Sequence, residues 1–193
     1  MFKSYLAVSD KLLAASAVIA IVALTGKSQH LPLLQSWIPA AVAMKDTTAF
    51  LILNHAWAGL IISRAARRRD CLPALFVAAP SILVAIGLSR DISRLENFGS
   101  FDPLQSWFPS IMTVLAASLL ACKVLMVVTF LTPWPARVVS GLASLIGLCA
   151  LAGYATGQPA LYFFLPGYTT AMALNTALCF SILGLAYIPR RSV

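Results

Sequence analysis

Residues 110–131 read SIMTVLAASLLACKVLMVVTFL, an apolar run that contains a single charged residue, Lys123. A helix needs about 20 largely apolar residues to cross the hydrocarbon core of a bilayer, with about 17 as a lower limit. Five further runs approach this length, at residues 12–25 (extended back to about Tyr5), 47–63, 72–88, 138–155 and 170–188. The sequence therefore predicts an all-α integral membrane protein with six transmembrane helices, in one domain over residues 1–193.

The composition of the chain fits lipid better than water as its solvent. Of the 193 residues, 60% are hydrophobic and 10% are charged, whereas a soluble domain carries about 25% charged residues. The formal net charge of +8 would suit nucleic acid. However, the basic residues stand where the apolar runs end, which is the pattern that membrane topology produces. We therefore expect a lipid bilayer around the helices and no nucleic-acid partner.

The basic residues also predict the orientation of the chain. If the N-terminus is cytoplasmic, nine Lys and Arg residues fall on the cytoplasmic side and four on the opposite, outer side. The nine are Lys3, Lys11, Arg64, Arg67, Arg68, Arg69, Arg137, Arg190 and Arg191, and the four are Lys27, Lys45, Arg90 and Arg94. Because positive residues accumulate in cytoplasmic loops, we expect a multi-pass protein of the bacterial inner membrane with both termini in the cytoplasm.

A six-residue segment occurs twice at corresponding places in the chain. Leu34-Gln35-Ser36-Trp37-Ile38-Pro39 recurs as Leu104-Gln105-Ser106-Trp107-Phe108-Pro109, and a weaker copy, Phe163-Phe164-Leu165-Pro166, precedes the last apolar run. After each copy, a Met is followed four residues later by a small pair: Met44 by Thr48-Ala49, Met112 by Ala116-Ala117 and Met172 by Thr176-Ala177. A triplication predicts three helical hairpins, at residues 5–65, 72–131 and 137–190 in approximate bounds, around a pseudo-threefold axis.

The connections on the outer side contain aromatic residues and prolines without runs of charge. They cover residues 31–44, 101–109 and 162–169. Amphipathic segments with aromatic side chains rest at the boundary between lipid and water. The sequence thus predicts outer interfacial helices, with Trp37 and Trp107 as their anchors.

Two ionisable side chains, His55 and Lys123, fall in the middle of predicted spans. A charge at the bilayer centre costs about 2.5–3.5 kcal/mol on insertion scales, so such residues usually face the protein interior. Both stand eleven residues after their Met, and Leu183 takes this position in the third copy. Helical spacing then defines three stripes of residues that share a face, which are Thr48, Ile52, His55 and Gly59; Ala116, Leu120, Lys123 and Val127; and Thr176, Phe180 and Leu183.

These polar residues predict a ligand site between the three helices that carry the stripes, with His55 and Lys123 at its floor. Adjacent polar residues, including Ser181, could complete an internal polar cluster. The predicted ligand-binding residues are His55, Lys123, Thr48, Asn54, Asn175 and Thr176. The alternative is that His55 is neutral and hydrogen-bonded to another helix, while Lys123 extends its amine to the membrane surface.

The sequence requires no cofactor and predicts no metal site. His55 could serve as a single axial ligand to haem or a chlorophyll magnesium, and a carotenoid would also fit an apolar bundle, but the cofactor stays unknown. With the first span taken from residue 12, no Asp or Glu falls within a predicted span, although proton-coupled transporters carry acidic residues there. No hydrolase motif or phosphate-binding glycine loop occurs. We therefore expect neither a transporter nor an enzyme.

The last apolar run carries a longer pattern, Met172-x-x-Asn175-Thr176-Ala177-Leu178-x-Phe180-x-x-x-Gly184-Leu185. It resembles a segment that closes the N-terminal membrane region of bacterial sensor histidine kinases and diguanylate cyclases. The resemblance covers about fifteen residues, and it implies a membrane sensory module that binds a lipophilic or outer-side small molecule. In those proteins a cytoplasmic signalling domain follows the membrane region.

No output domain follows Arg191 in this sequence, which ends at Val193. One explanation is that the sequence is cut at this point, and another is a free-standing relative that acts through a partner. A third interpretation is a small accessory subunit of a larger respiratory or photosynthetic membrane complex, which could hold pigment or lipid.

Overall fold

The computed structural model describes residues 2–37, 42–64, 80, 109–128, 133–163 and 171–188. Its α-helices are α1 (Phe2–Ser28), α2 (Pro32–Ser36), α3 (Asp46–Arg64), α4 (Ile111–Val128), α5 (Pro133–Thr156) and α6 (Leu174–Tyr187), with a 3₁₀ turn at Pro159–Leu161. The described residues contain no strand, so the predicted all-α class is confirmed for them. The predicted span 72–88, apart from Pro80, and Trp107 lie outside the described residues.

Among the described residues, two helices are long and apolar enough to cross a membrane. They are Val8–Ser28 within α1 and Trp134–Thr156 within α5, and two shorter apolar helices lie at Ile111–Met126 and Leu174–Tyr187. The first of these spans includes Asp10, so the expectation that no acidic residue falls in a span is wrong for α1. The physical reason is that α1 is already helical from Phe2, well before the apolar run begins.

The exterior of the bundle is more apolar, and its interior more polar, than in a typical soluble protein. Large apolar side chains are exposed along α1 and α5, among them Val18, Ile21, Val138, Leu142, Leu145 and Leu148. Polar side chains are buried beside an apolar core, and they include Ser9, Ser16, Thr48, His55, Thr113, Lys123, Ser140, Ser144, Asn175, Thr176 and Ser181. Exposed apolar residues also occur in water-soluble proteins, but buried charged residues are rare there. The distribution therefore agrees with a helix bundle whose exterior meets lipid.

Three helices, α3, α4 and α6, form the centre, and each of them contacts the other two. The Asn175 side chain at the start of α6 donates a hydrogen bond to the Gln35 carbonyl ahead of α3, and Tyr187 at the end of α6 donates to the His55 carbonyl. The first contact joins the start of α6 to the segment before α3, and the second joins the end of α6 to the middle of α3, so α3 and α6 are parallel. Only a few residues separate α4 from α5, which makes these packed helices antiparallel.

The direction of α5 completes the arrangement. Tyr154 near the end of α5 donates a hydrogen bond to the Met172 carbonyl ahead of α6, and Ser144 in its middle donates to the Ser181 carbonyl. Hence α5 and α6 are antiparallel, and all three central helices run the same way. Around them, α1 packs on α3 and α6, while α5 packs on α4 and α6.

The first outer connection contains a short helix, α2. A proline at its start supplies the fixed backbone angle that suits a helix N-terminus, and α2 ends at Trp37, whose φ of 59° lies in the left-handed region. The Met44 amide donates to the Gln35 carbonyl and closes the connection ahead of α3. Trp37 is exposed; its role as an interfacial anchor stays a prediction.

Candidate functional site

The three predicted stripes are buried wherever the structure describes their side chains. Each of the ten described members is at most 3% exposed or, for Gly59, is classed as buried. The eleventh member, Val127, has no described side chain. The ten are Thr48, Ile52, His55, Gly59, Ala116, Leu120, Lys123, Thr176, Phe180 and Leu183. The helical spacing of the stripes thus identified the faces that α3, α4 and α6 turn toward the interior.

Along each central helix, these residues follow one another at intervals of about one turn, and we name them by their order along the helix. We call Thr48, Ala116 and Thr176 the outer layer; Ile52, Leu120 and Phe180 the middle layer; and His55, Lys123 and Leu183 the inner layer. Seven residues separate the outer from the inner layer, or about 10 Å at the helical rise. All three middle-layer side chains are fully buried members of one apolar cluster. On their own helices, Thr48 and Thr176 therefore precede a buried apolar residue, and His55 and Lys123 follow one.

His55 joins two of the central helices through its imidazole ring. Its Nδ1 atom lies 2.7 Å from the Leu51 carbonyl oxygen on α3, and its Nε2 atom lies 3.0 Å from the Ala117 carbonyl oxygen on α4. A neutral imidazole has one N–H to donate, whereas an imidazolium donates from both nitrogens. The predicted hydrogen bond from His55 to another helix is present in this geometry.

The same geometry argues against His55 as an axial ligand. Coordination uses a ring-nitrogen lone pair that points at the metal, and here both nitrogens point at backbone oxygens within 3.0 Å. A haem iron or chlorophyll magnesium would have to displace one of these contacts. In the described part of the chain, no three His, Cys, Asp or Glu residues lie together as a metal site would need.

Lys123 is enclosed by the bundle. Its residue is 1% exposed, so its amine does not extend to the protein surface, as the alternative interpretation required. The burial of Lys123 and His55 agrees with the prediction that both side chains face the protein interior.

The two predicted asparagines have different surroundings. Asn175 is fully buried, and it donates to the Gln35 carbonyl while its side-chain oxygen accepts from the Thr176 amide. Asn54 is only partly buried and lies beside the α3 stripe rather than on it. Ser181, expected near them, donates to the Ala177 carbonyl one turn earlier on α6. These side chains therefore do not converge on one cluster.

Sequence reasoning missed two tyrosines that connect the layers to neighbouring elements. Tyr187 is 1% exposed and donates to the His55 carbonyl. Tyr154 stacks on Tyr162 with ring centroids 4.2 Å apart and donates to the Met172 carbonyl. A signal for Tyr187 was available, since it follows Thr176, Phe180 and Leu183 at the spacing that continues their stripe.

The comparisons with known proteins add no relative to this geometry. No family model, no curated protein and no solved structure gives a significant match to the chain.

Proposed function

We propose that the chain is a six-span sensory domain of the bacterial inner membrane, which binds a small molecule between α3, α4 and α6 and signals to cytoplasmic machinery through α6. The observation that carries this proposal is the position of α6. Ten of its residues are buried, and it contacts each of the other five described α-helices. A change at any of these contacts would alter the packing of α6, whose C-terminal end leads to the predicted cytoplasmic residues Arg190 and Arg191.

The packing of the hairpins supports the triplicated architecture within this proposal. α1 packs on its hairpin partner α3 and on α6, and α5 packs on its partner α6 and on α4. Each described outer helix thus contacts its own partner and the central helix of the hairpin before it in cyclic order. Under threefold symmetry, the span at residues 72–88 would pack on α4 and α3 in the same way.

The connections ahead of two central helices support it as well. The Met44 amide donates to the Gln35 carbonyl, and the Met172 amide donates to the Tyr162 carbonyl. Both repeat-marker methionines therefore close an outer connection two residues before a central helix begins. The exposed apolar surfaces of α1 and α5 suit a lipid environment.

A fusion protein tests the signalling role. Residues 1–193 would be joined to a diguanylate cyclase domain, and cyclic-di-GMP would be measured in cells and in vesicles treated with lipid and outer-side small-molecule extracts. We expect at least one extract to change the output. The Tyr187→Phe variant, which loses the hydrogen bond from α6 to His55, should respond less than the matched Tyr154→Phe variant. Output that ignores every extract would refute the sensory proposal.

Purification in mild detergent separates this proposal from the accessory-subunit alternative. A sensory domain should elute alone or with a signalling protein. Co-elution in fixed stoichiometry with a large respiratory or photosynthetic complex would favour the subunit interpretation. An absorption spectrum of the same sample would reveal haem, chlorophyll or carotenoid.

A further inference from the structure

His55 is in contact with both of the other central helices. Its Nε2 atom lies 3.0 Å from the Ala117 carbonyl oxygen on α4, and its own backbone carbonyl accepts a hydrogen bond from the Tyr187 hydroxyl on α6. The residue is fully buried. A change in the charge of this imidazole ring therefore acts at the junction of α3, α4 and α6.

Both nitrogens of the His55 ring face hydrogen-bond acceptors. Nδ1 lies 2.7 Å from the Leu51 carbonyl oxygen, and Nε2 lies 3.0 Å from the Ala117 carbonyl oxygen. A carbonyl oxygen accepts hydrogen bonds and donates none, so each contact needs an N–H on the ring. A neutral imidazole has one N–H, whereas an imidazolium has two. Only the charged ring satisfies both contacts, and the neutral ring places a nitrogen lone pair against a carbonyl oxygen at one of them.

The two contacts differ in what they connect. Leu51 stands one turn before His55 on the same helix, so that contact is kept when α3 shifts against α4, and it is also the shorter one. We therefore expect the neutral ring to carry its N–H on Nδ1. The lone pair of Nε2 then faces the Ala117 carbonyl oxygen and weakens the contact between α3 and α4. A proton on Nε2 converts the same contact into a charge-assisted hydrogen bond, which is stronger than a neutral one.

Three helices pack on α3, and each brings titratable side chains of its own. Those that the structure describes, together with the acidic residue of α3 itself, are Asp10, Lys11 and Lys27 on α1, Asp46 on α3, Cys122 and Lys123 on α4, and Cys179 and Tyr187 on α6. Burial and any charge on Lys123 disfavour a charged His55 ring, whereas the two carbonyl oxygens favour it. Opposing effects of this kind make the charge of the ring sensitive to pH.

We propose that His55 is a proton-binding site through which pH controls the packing of the central helices: a proton on Nε2 strengthens the contact of α3 with α4, and its loss weakens that contact. This inference rests on the proposed sensory function and adds its regulation. The proton comes from water and returns to water, so no other reactant is needed. Because Tyr187 is hydrogen-bonded to the same residue, a shift of α3 also moves the end of α6.

Nitrogen-15 NMR of the full chain in nanodiscs tests this inference. The sequence has two histidines, His30 and His55, so His30→Asn leaves a single labelled imidazole. Asn tolerates the left-handed backbone at this position, where φ is 56°. The nitrogen chemical shifts distinguish a lone pair, a neutral N–H and an imidazolium. We expect a lone pair on Nε2 at about pH 8 and its replacement by N–H toward about pH 5, the range in which histidine ordinarily titrates.

The cyclase fusion measures whether this proton changes the output. In the His30→Asn background, cyclic-di-GMP production should change over the same pH range. His55→Gln, whose amide does not titrate, should lose this change, and it also corrects for any effect of pH on the cyclase domain itself. Asp10→Asn is the matched control, since it removes a titratable group from a helix packed on α3 and should keep the response.

Several outcomes would overturn the inference. These are a His55 ring that stays neutral or stays charged across the range, a titration at Nδ1 instead of Nε2, or a pH response that survives in His55→Gln. If His55→Gln fails to fold, the NMR titration of His30→Asn decides. A fusion that responds to an extract although His55 does not titrate would refute the proton site and leave the sensory function in place. A ring that titrates in a fusion that ignores both pH and every extract would instead refute the sensory function, and the regulatory inference would fail with it.

Discussion

The α5–α6 interface and the α3–α4 interface differ in how closely the helix backbones approach each other. Between α5 and α6, small residues allow close approach: a Cβ atom on Gly184 would lie 2.6 Å from the Ser144 backbone nitrogen, and one on Gly147 would lie 2.6 Å from the Ala177 carbonyl oxygen. Between α3 and α4, the long side chain of His55 reaches the Ala117 carbonyl. The first interface combines close packing with the hydrogen bond from Ser144 to the Ser181 carbonyl, whereas the second is joined through the His55 ring.

This difference indicates which interface can change. In a membrane, helices associate through close packing of small residues and through interhelical hydrogen bonds, each worth about 0.6 kcal/mol on average. Close packing has one good geometry, because a shift in either helix separates many atoms at once. A hydrogen bond from a titratable ring can be remade with another partner. We therefore expect α5 and α6 to move as a unit while α3 and α4 adjust.

The largest expected effect breaks the close-packed interface. In Gly184→Ala, the new methyl group meets the backbone and Cβ of Ser144, so α5 and α6 must separate. Overpacking of this kind costs about 1–3 kcal/mol. The free energy of unfolding, measured by helix loss in mixed detergent and SDS, should fall by this amount.

Gly141→Ala is the matched control for this variant. A Cβ atom at Gly141 meets nothing within 4 Å, and alanine favours the helix by about 0.5–1 kcal/mol over glycine. Its free energy of unfolding should stay level or rise. If both variants lose the same free energy of unfolding, close contact between α5 and α6 is not the reason for glycine at position 184.

A smaller effect is expected at the hydrogen-bonded interface. His55→Phe keeps a ring of similar shape and removes both nitrogen contacts. Interhelical hydrogen bonds in membranes contribute about 0.6 kcal/mol and rarely more than about 1.7 kcal/mol. The loss in the free energy of unfolding should therefore be below that of Gly184→Ala, and His30→Asn, outside the helices, should change nothing. A loss larger than that of Gly184→Ala would reverse the ranking of the two interfaces.

The sequence predicted the faces of the central helices because helical spacing alone determines them. Thr48, His55 and Lys123 were expected to point inward, and burial agrees at each. A Met at a fixed offset also marked where α3 and α6 begin, two residues after Met44 and Met172. Such patterns survive in sequence because they follow from a local period of 3.6 residues.

The arrangement within the site could not be predicted from the same patterns. Spacing indicates that His55 faces inward. It does not indicate that one ring nitrogen contacts the Leu51 carbonyl oxygen and the other the Ala117 carbonyl oxygen on α4. Nor does it indicate that Asn175 reaches the Gln35 carbonyl, which is distant in sequence. These contacts depend on how far one helix slides along another, and side-chain volumes across the whole interface set that distance. Asn54 was predicted to bind ligand together with His55, its neighbour in sequence. The structure shows it only partly buried, beside the buried stripe of α3.

The smallest expected effect concerns the charge of Lys45, which directly precedes α3 at the predicted outer side. Burial lowers the pKa of Lys45 to about 8 from its ordinary value of 10.5. Between these pH values, the folded chain has lost a proton that the unfolded chain still binds, so the free energy of unfolding should rise with pH across this window. Below pH 8 both states hold the proton, and the Lys45 contribution to the slope disappears.

Two variants test this prediction. Lys45→Met should lose the rise in the free energy of unfolding with pH, as should Lys45→Arg, whose guanidinium stays charged throughout. Because Lys45 is only half-buried, solvent screening keeps the effect small. A slope that survives unchanged in both variants would assign the pH dependence to another group and leave the outer end of α3 without electrostatic strain.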